Sequence, residues 1–213
     1  MGAASIARRG RRGVAVVLSR AVADAVPATA SAGPSAAPLG AVGLLIATWG
    51  VLGVCALLFR AVWRLSTLAL EPLRDGGLGP IHVVVYVVWI GFSIWSEGYR
   101  GFQKRVSPRV VARALYLAKH PRPLWVALAP AFCMTLFHAT RRGLLTAWGV
   151  LVMVVTLVVI VGRIPQPWRG IIDAGVVIGL VWGIVAILWF FARALAGHPV
   201  PGTGELPVSA RRE

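Results

Sequence analysis

Acidic residues are scarce in this chain: seven of them stand against 22 lysines and arginines, for a formal charge of +15. Charge of either sign is scarce too, at 14% of the residues, where an ordinary soluble domain carries about 25%. That argues against a single water-soluble core wrapped in a charged surface. Cysteine is limited to Cys55 and Cys133, in separate apolar runs and with no CxxC spacing. No disulfide framework can be read from two such thiols, and they are expected to act as small buried apolar side chains. The four histidines are scattered, and no HExxH, Walker A, GxGxxG or GxSxG pattern occurs. We therefore assign no catalytic residue, no metal ligand and no cofactor. The arginines form no recognisable nucleic-acid-binding domain, so no specific nucleic-acid partner is expected either.

What the chain has in abundance is apolar length. Hydrophobic residues make up 58% of its 213 positions, and the mean hydropathy is +0.78. Several apolar runs approach or exceed the roughly 18 residues that suggest a membrane span. Twenty of the 22 cations are arginine. With many Ala, Gly and Val residues, this suggests coding from a GC-rich bacterial genome.

The first expected span is 39–59, entered after Pro38 and left at Arg60, with a polar connector beyond it. The second apolar run, 81–95, is too short to cross about 30 Å of hydrocarbon and must extend to about 79–99. Its exit reads "WSEGYRGFQKR". There Trp95 and Tyr99 suit an interface, and Glu97 is placed to pair with Arg100 three residues on. Then "SPRVVARALYLAK" offers Ser107 as a helix cap and Pro108 as a first helical residue. It is too short and too charged to span, so a helix lying on an anionic leaflet is expected. Residues 124–138 are apolar, short and interrupted by Pro130; an interfacial piece, a re-entrant piece and a fifth span all stay open. Spans at 144–161 and 170–191 follow, joined by the short "GRIPQPWRG", which predicts an antiparallel hairpin.

The expected fold is thus an all-α integral membrane protein of four transmembrane helices over residues 38–196, with a cytoplasmic interfacial, amphipathic region at 107–142 between spans two and three. Residues 1–37 read as a disordered basic arm, with no cleavage as a signal peptide, and 197–213 as a disordered tail. Orientation follows from the cations. With four spans and both termini inside, 17 of the 22 lie in the cytoplasm and five outside, which favours this orientation in a bacterial inner membrane.

Three groups of residues stand out. Gly175, Gly179 and Gly183 recur every fourth position in the last span, so all three share one helix face where another helix can approach closely. Gly43, Ala47 and Gly50 of the first span offer a partner face. Arg100, Lys104, Arg105, His138, Arg141 and Arg142 flank the apolar runs as candidate contacts for lipid phosphate. Glu97 with Arg100, and Arg169 with Asp173, are expected to form ion pairs at the interface. Expected partners are the bilayer with its anionic headgroups, and a second copy or another membrane protein. The leading functional expectation is a small membrane protein with a structural, assembly or partner-binding role. A transporter or channel subunit is one alternative; a lipid-acting enzyme using Glu97, His138 and the arginines is the other.

Overall fold

Proline placement and helix-forming residues decide where the long helices begin and how far they run. The computed structural model describes residues 39–76 and 78–200, so the expected N-terminal arm and most of the tail lie outside the described residues. Among the described residues the chain is helical, without a strand. Four helices are long and apolar enough to cross a membrane.

Helix α1, Ala41–Arg74, has 34 residues. The expected connector after Arg60 is instead helical, because "RAVWRLSTLALEPLR" is rich in Leu, Ala and Arg, all good helix formers. Pro72 falls in its last turns and has no N–H to give to the carbonyl four residues back. That carbonyl, Leu68 O, accepts from Gln166 Nε2 at 3.4 Å.

A second helical run extends unbroken from Pro80 to Lys119. It comprises α2 (Pro80–Ser93), a π-helical segment (Ile94–Val106) and α3 (Ser107–Lys119). Pro80 opens it at a position where no donor is needed. No break occurs at Ser107. Its amide still bonds back five residues, to Phe102 O, and Pro108, which has no amide donor, follows where the ladder returns to α.

Expected to lie on a leaflet, α3 is instead among the most enclosed parts of the molecule: Val110, Val111, Ala114, Leu115 and Leu117 are buried. It packs among α1, α7 and the short helix α5 introduced below. Its alanines allow close approach, and its central charge, Arg113, finds acceptors inside the protein.

Residues 124–138 form no spanning helix. They hold most of α4 (Pro123–Ala127) and all of α5 (Ala129–Cys133), followed by an irregular stretch in which Thr135 and His138 have φ of 66° and 51°. The Pro130 ring sits on Gly53 of α1, and Cys133 Sγ lies 3.0 Å from where a Cβ of Gly50 would be. Helix α6, Arg141–Val161, begins at Thr140, whose hydroxyl accepts from Gly143 N at 3.1 Å. A short link leads to α7, Trp168–Leu195.

The expected side-by-side hairpin of the last two spans is not formed. Helix α7 packs against α1, α2, the π segment and α3, so its faces are occupied by earlier parts of the chain. Helix α6 has no extended packing against another long helix, and every residue from 148 to 160 is exposed.

The core joins Ala47, Val51 and Val54 of α1 to Val111 and Leu115 of α3 and Ile187 and Ala194 of α7. Leu39 and Val200 pack on the same cluster, so the described chain starts and finishes at one end of the bundle. At the other end Pro72 meets Gly170, and Gln166 bridges the two helices: Nε2 donates to Glu71 Oε2 at 2.7 Å while Oε1 accepts from Gly170 N at 3.0 Å.

Candidate functional site

The stretch "WSEGYRGFQKR" lies wholly within the π segment. Hydrogen bonds of the i→i+5 type bring residues five apart into register, in place of the three and four of an α-helix; such stretches are rare and concentrate at functional sites. Here the register sorts the segment into two faces.

The inner face meets α7. A Cβ at Gly179 would lie 2.7 Å from Glu97 Oε2, one at Gly183 would lie 2.5 Å from the Phe102 ring, and one at Gly98 would lie 2.9 Å from Trp182 Cγ. Trp182 Nε1 donates to Gln103 Oε1 at 3.1 Å. One turn lower, Ser93 Oγ and Trp89 Nε1 converge on the Cβ position of Gly175, and Trp89 Nε1 reaches Ile172 O at 3.5 Å. The three glycines of α7 therefore face α2 and the π segment, not Gly43, Ala47 and Gly50 of α1. That α1 face receives Ala118, Ala129 and Cys133 instead. Ser93 is 1% exposed and its hydroxyl has no hydrogen-bond partner.

The outer face carries cations over aromatic rings. Arg100 Cζ stands 5.0 Å from the Trp95 ring centroid and Lys104 Nζ 4.5 Å from that of Tyr99, both pairs five residues apart. The expected Glu97–Arg100 pair is absent. Its i,i+3 spacing suits an α-helix, and in the π register Glu97 turns to Gly179 while Arg100 lies over Trp95. Arg169 Nε and Asp173 Oδ2, in the regular first turns of α7, are 3.7 Å apart.

A second constellation surrounds Arg113, which is 1% exposed. Its Nε donates to Phe132 O at 2.7 Å, and Nη2 donates to Phe137 O at 2.9 Å and His138 O at 3.3 Å. The guanidinium also lies 4.1 Å from the Phe132 ring centroid. These carbonyls belong to the end of α5 and the irregular stretch after it, so Arg113 supplies donors that helix geometry does not. Trp148 Nε1 adds one to Leu136 O at 3.2 Å. Beside this cluster, burial pushes the Cys133 thiol up to about 12, against the opposing pull of the Arg113 charge.

His138 lies against Trp125 at 4.6 Å, the two rings tilted by 54°, and meets Phe137 edge-on at 5.8 Å. Glu97 and His138 thus sit in different packing environments. Arg105 and Arg141 are exposed, and Arg142 lies at the start of α6. No cluster of three or more His, Cys, Asp or Glu side chains suited to a metal ion occurs among the described residues. A shallow groove on α1 is lined by Arg60, Trp63, Arg64 and Thr67.

Sequence reasoning gave no site role to Arg113, Ser93, Trp89 or Phe102. A single arginine at the centre of "VVARALYLA" was the available signal for the first: a charge flanked on both sides by apolar residues must be satisfied internally if the segment is buried. Phe102 depended on the π register, which has no comparable mark in the sequence, and Ser93 and Trp89 on which face of α2 meets α7. No family model, curated protein or solved structure compared with this chain gives a match.

Proposed function

We propose that this chain is a small multi-pass protein of a bacterial inner membrane with an assembly or partner-binding role, both termini lying in the cytoplasm. The observation that carries the reading is the exposure of α6. Helices associate in lipid by close packing of one surface on another. Helix α6 offers a continuous apolar surface from 148 to 160 and packs along no long helix of its own chain. Such a span suits contact with a helix of a second copy or of another membrane protein.

The cation distribution supports the orientation. Arg141 and Arg142 start α6, Arg193 ends α7, and Arg122 precedes α4, with the described termini at that same end. A photo-cross-linking residue at Val152 or Val155 of α6, in cells, tests the role. Discrete protein adducts of defined mass are expected, and adducts with lipid alone would overturn the reading.

A transporter or channel subunit is the second reading, favoured by the unpartnered Ser93 hydroxyl and by the half-buried Glu97 carboxylate turned to Gly179 of α7. An ion or proton flux in proteoliposomes, lost in both Ser93→Ala and Glu97→Gln, would favour it over the first. A lipid-acting enzyme has less support, because Glu97 faces Gly179 while His138 lies against Trp125.

A further inference from the structure

We infer that the outer face of α2 and the π segment docks a transmembrane helix of another protein, one carrying a carboxylate at mid-membrane depth opposite Arg100 and Lys104. The inference rests on the partner-binding role proposed above, and on the reading that the long helices cross a bilayer.

The glycine groove sets the depth. Gly179 receives Glu97 and Gly183 receives Phe102, and the point midway between these glycines is about 20 Å from either end of α7. Arg100 lies between Glu97 and Phe102 in the chain, and Lys104 follows Phe102 by two residues, about 3 Å along a helix axis. In a bilayer both stand too deep to reach a headgroup, so the phosphate contact expected of them from sequence does not fit this reading. Both are exposed, as is Arg105. Cations at that depth are costly against lipid and are characteristically paired.

No such pair forms within the chain. Among the described residues neither Arg100 nor Lys104 has a carboxylate partner. Arg100 lies over the Trp95 ring and Lys104 over that of Tyr99. The rings hold the two cations in place and leave N–H donors directed outward. A second copy does not supply the acid either. Glu71 accepts from Gln166 at the far end of the bundle, Asp75 caps the end of α1, Glu97 is turned to Gly179, and Asp173 lies beside Arg169. Charge complementarity therefore points to a helix of a different protein.

The surface leading to the cations suits a helix. Val84, Val88, Gly91 and Trp95 recur at three- and four-residue spacing on one face of this run, and all are exposed. No atom lies within 4 Å of where a Cβ of Gly91 would be, so a neighbouring backbone can come close there. The π register continues the face, placing residue 100 over 95 and 104 over 99. The strip thus runs from beside the first turns of α7 to its middle, with the cations at the deep end. A small anion would have no use for its apolar length.

The test uses the full chain in phosphatidylcholine liposomes, with a photo-cross-linking residue at Val87, on the rim of the strip. The probes are synthetic Leu/Ala transmembrane helices of about 20 residues carrying Glu, Gln or Lys at the centre. Adduct yield is titrated against peptide. The Glu peptide should bind on the order of tenfold more tightly than the Gln peptide, and the Lys peptide should give no adduct. Moving the Glu to the end of the peptide should remove the preference. Arg100→Gln with Lys104→Gln should make the Glu and Gln peptides equal, while Arg100→Lys, which keeps the charge, should retain the difference. Arg60→Gln with Arg64→Gln, which removes two exposed charges from α1, should leave it unchanged. Equal binding of Glu and Gln peptides to the unaltered chain would overturn the inference. So would a preference that survives the double substitution at 100 and 104, or one lost with Arg60 and Arg64. If the peptides bind alike while α6 still yields protein adducts in cells, this inference falls and the partner-binding role stands. Lipid adducts alone at α6 would overturn that role, and release by an alkaline wash without detergent would overturn the bilayer reading beneath both.

Discussion

Arg113 shows how much of the central packing depends on one side chain. Three carbonyl oxygens, those of Phe132, Phe137 and His138, accept from it, and its flat guanidinium lies over the Phe132 ring. An unsatisfied buried polar group costs about 1–3 kcal/mol. Arg113→Met is therefore expected to lower the thermal midpoint in detergent far more than Arg105→Gln, an exposed change expected to stay within about 0.5 kcal/mol. Arg113→Lys should fall between them, since one ammonium cannot repeat the planar fork. Equal midpoints for Arg113→Met and Arg105→Gln would refute this role. Cys133 gives a second expectation. With its pKa pushed up to about 12 from an ordinary 9.0, the folded protein holds the thiol proton to far higher pH than the unfolded chain does. The associated stability is complete below about pH 9 and is lost as pH climbs towards 12. At neutral pH a maleimide should leave Cys133 unlabelled in the folded protein and label it once the protein is denatured. Ready labelling of the folded state would contradict the burial.

At the scale of elements, the contact between α7 and the second helical run depends on absent side chains. Gly175, Gly179 and Gly183 leave a groove that Ser93, Glu97 and Phe102 enter. Gly179→Leu would drive a branched side chain into Glu97, and overpacking of that kind typically costs about 1–3 kcal/mol. Its folded yield in mild detergent should drop, while Val177→Leu, at a half-exposed position of the same helix, should leave yield intact. If the two variants behave alike, the glycine spacing reflects composition and nothing more. This groove was half legible in the sequence. Spacing of four marks a face on any α-helix, so the face could be read; its occupant could not, because a partner is fixed by three-dimensional packing. The spans at 39–59 and 144–161 were legible as long unbroken apolar runs; 170–191 carries one charge, Asp173, near its start, and 81–95 had to be extended to reach a spanning length. Residues 60–74 misled because their arginines resemble a connector, although Leu and Ala between them sustain a helix. Residues 107–119 misled because three cations in thirteen positions resemble a surface helix, whereas one of them, Arg113, is satisfied by carbonyls. A π segment cannot be inferred from periodicities of 3.6 or 2, the two that sequence patterns report.

For the whole molecule, the bundle geometry and the arginine distribution bear on the same question. Leu39 and Val200 pack on one cluster at one end, and four long helices separate them. If these helices cross a membrane, reporters fused after residues 30, 76, 120, 166 and 200 should report cytoplasm, outside, cytoplasm, outside, cytoplasm. A reporter after residue 200 that reads outside would overturn this topology and require an odd number of crossings.

Helix α7 follows the other three described long helices in the chain, which sets an order of events during synthesis. Proteins emerge from the ribosome N-terminal end first, at about 5–20 residues per second. Helices α1 and α2, the π segment and α3 all use α7 as a packing surface, so each is made before its partner exists. Until Trp168–Leu195 has emerged, Ser93, Glu97 and Phe102 have no glycine groove to enter, and Pro72 has no Gly170 to rest on. A nascent chain halted within α6 would contain three of the four long helices, with α3 and α5 able to pack on α1 but with none of the contacts made to α7. For that interval α2 and the π segment are without the surface they pack on, open to chaperones and proteases, and α7 completes the bundle.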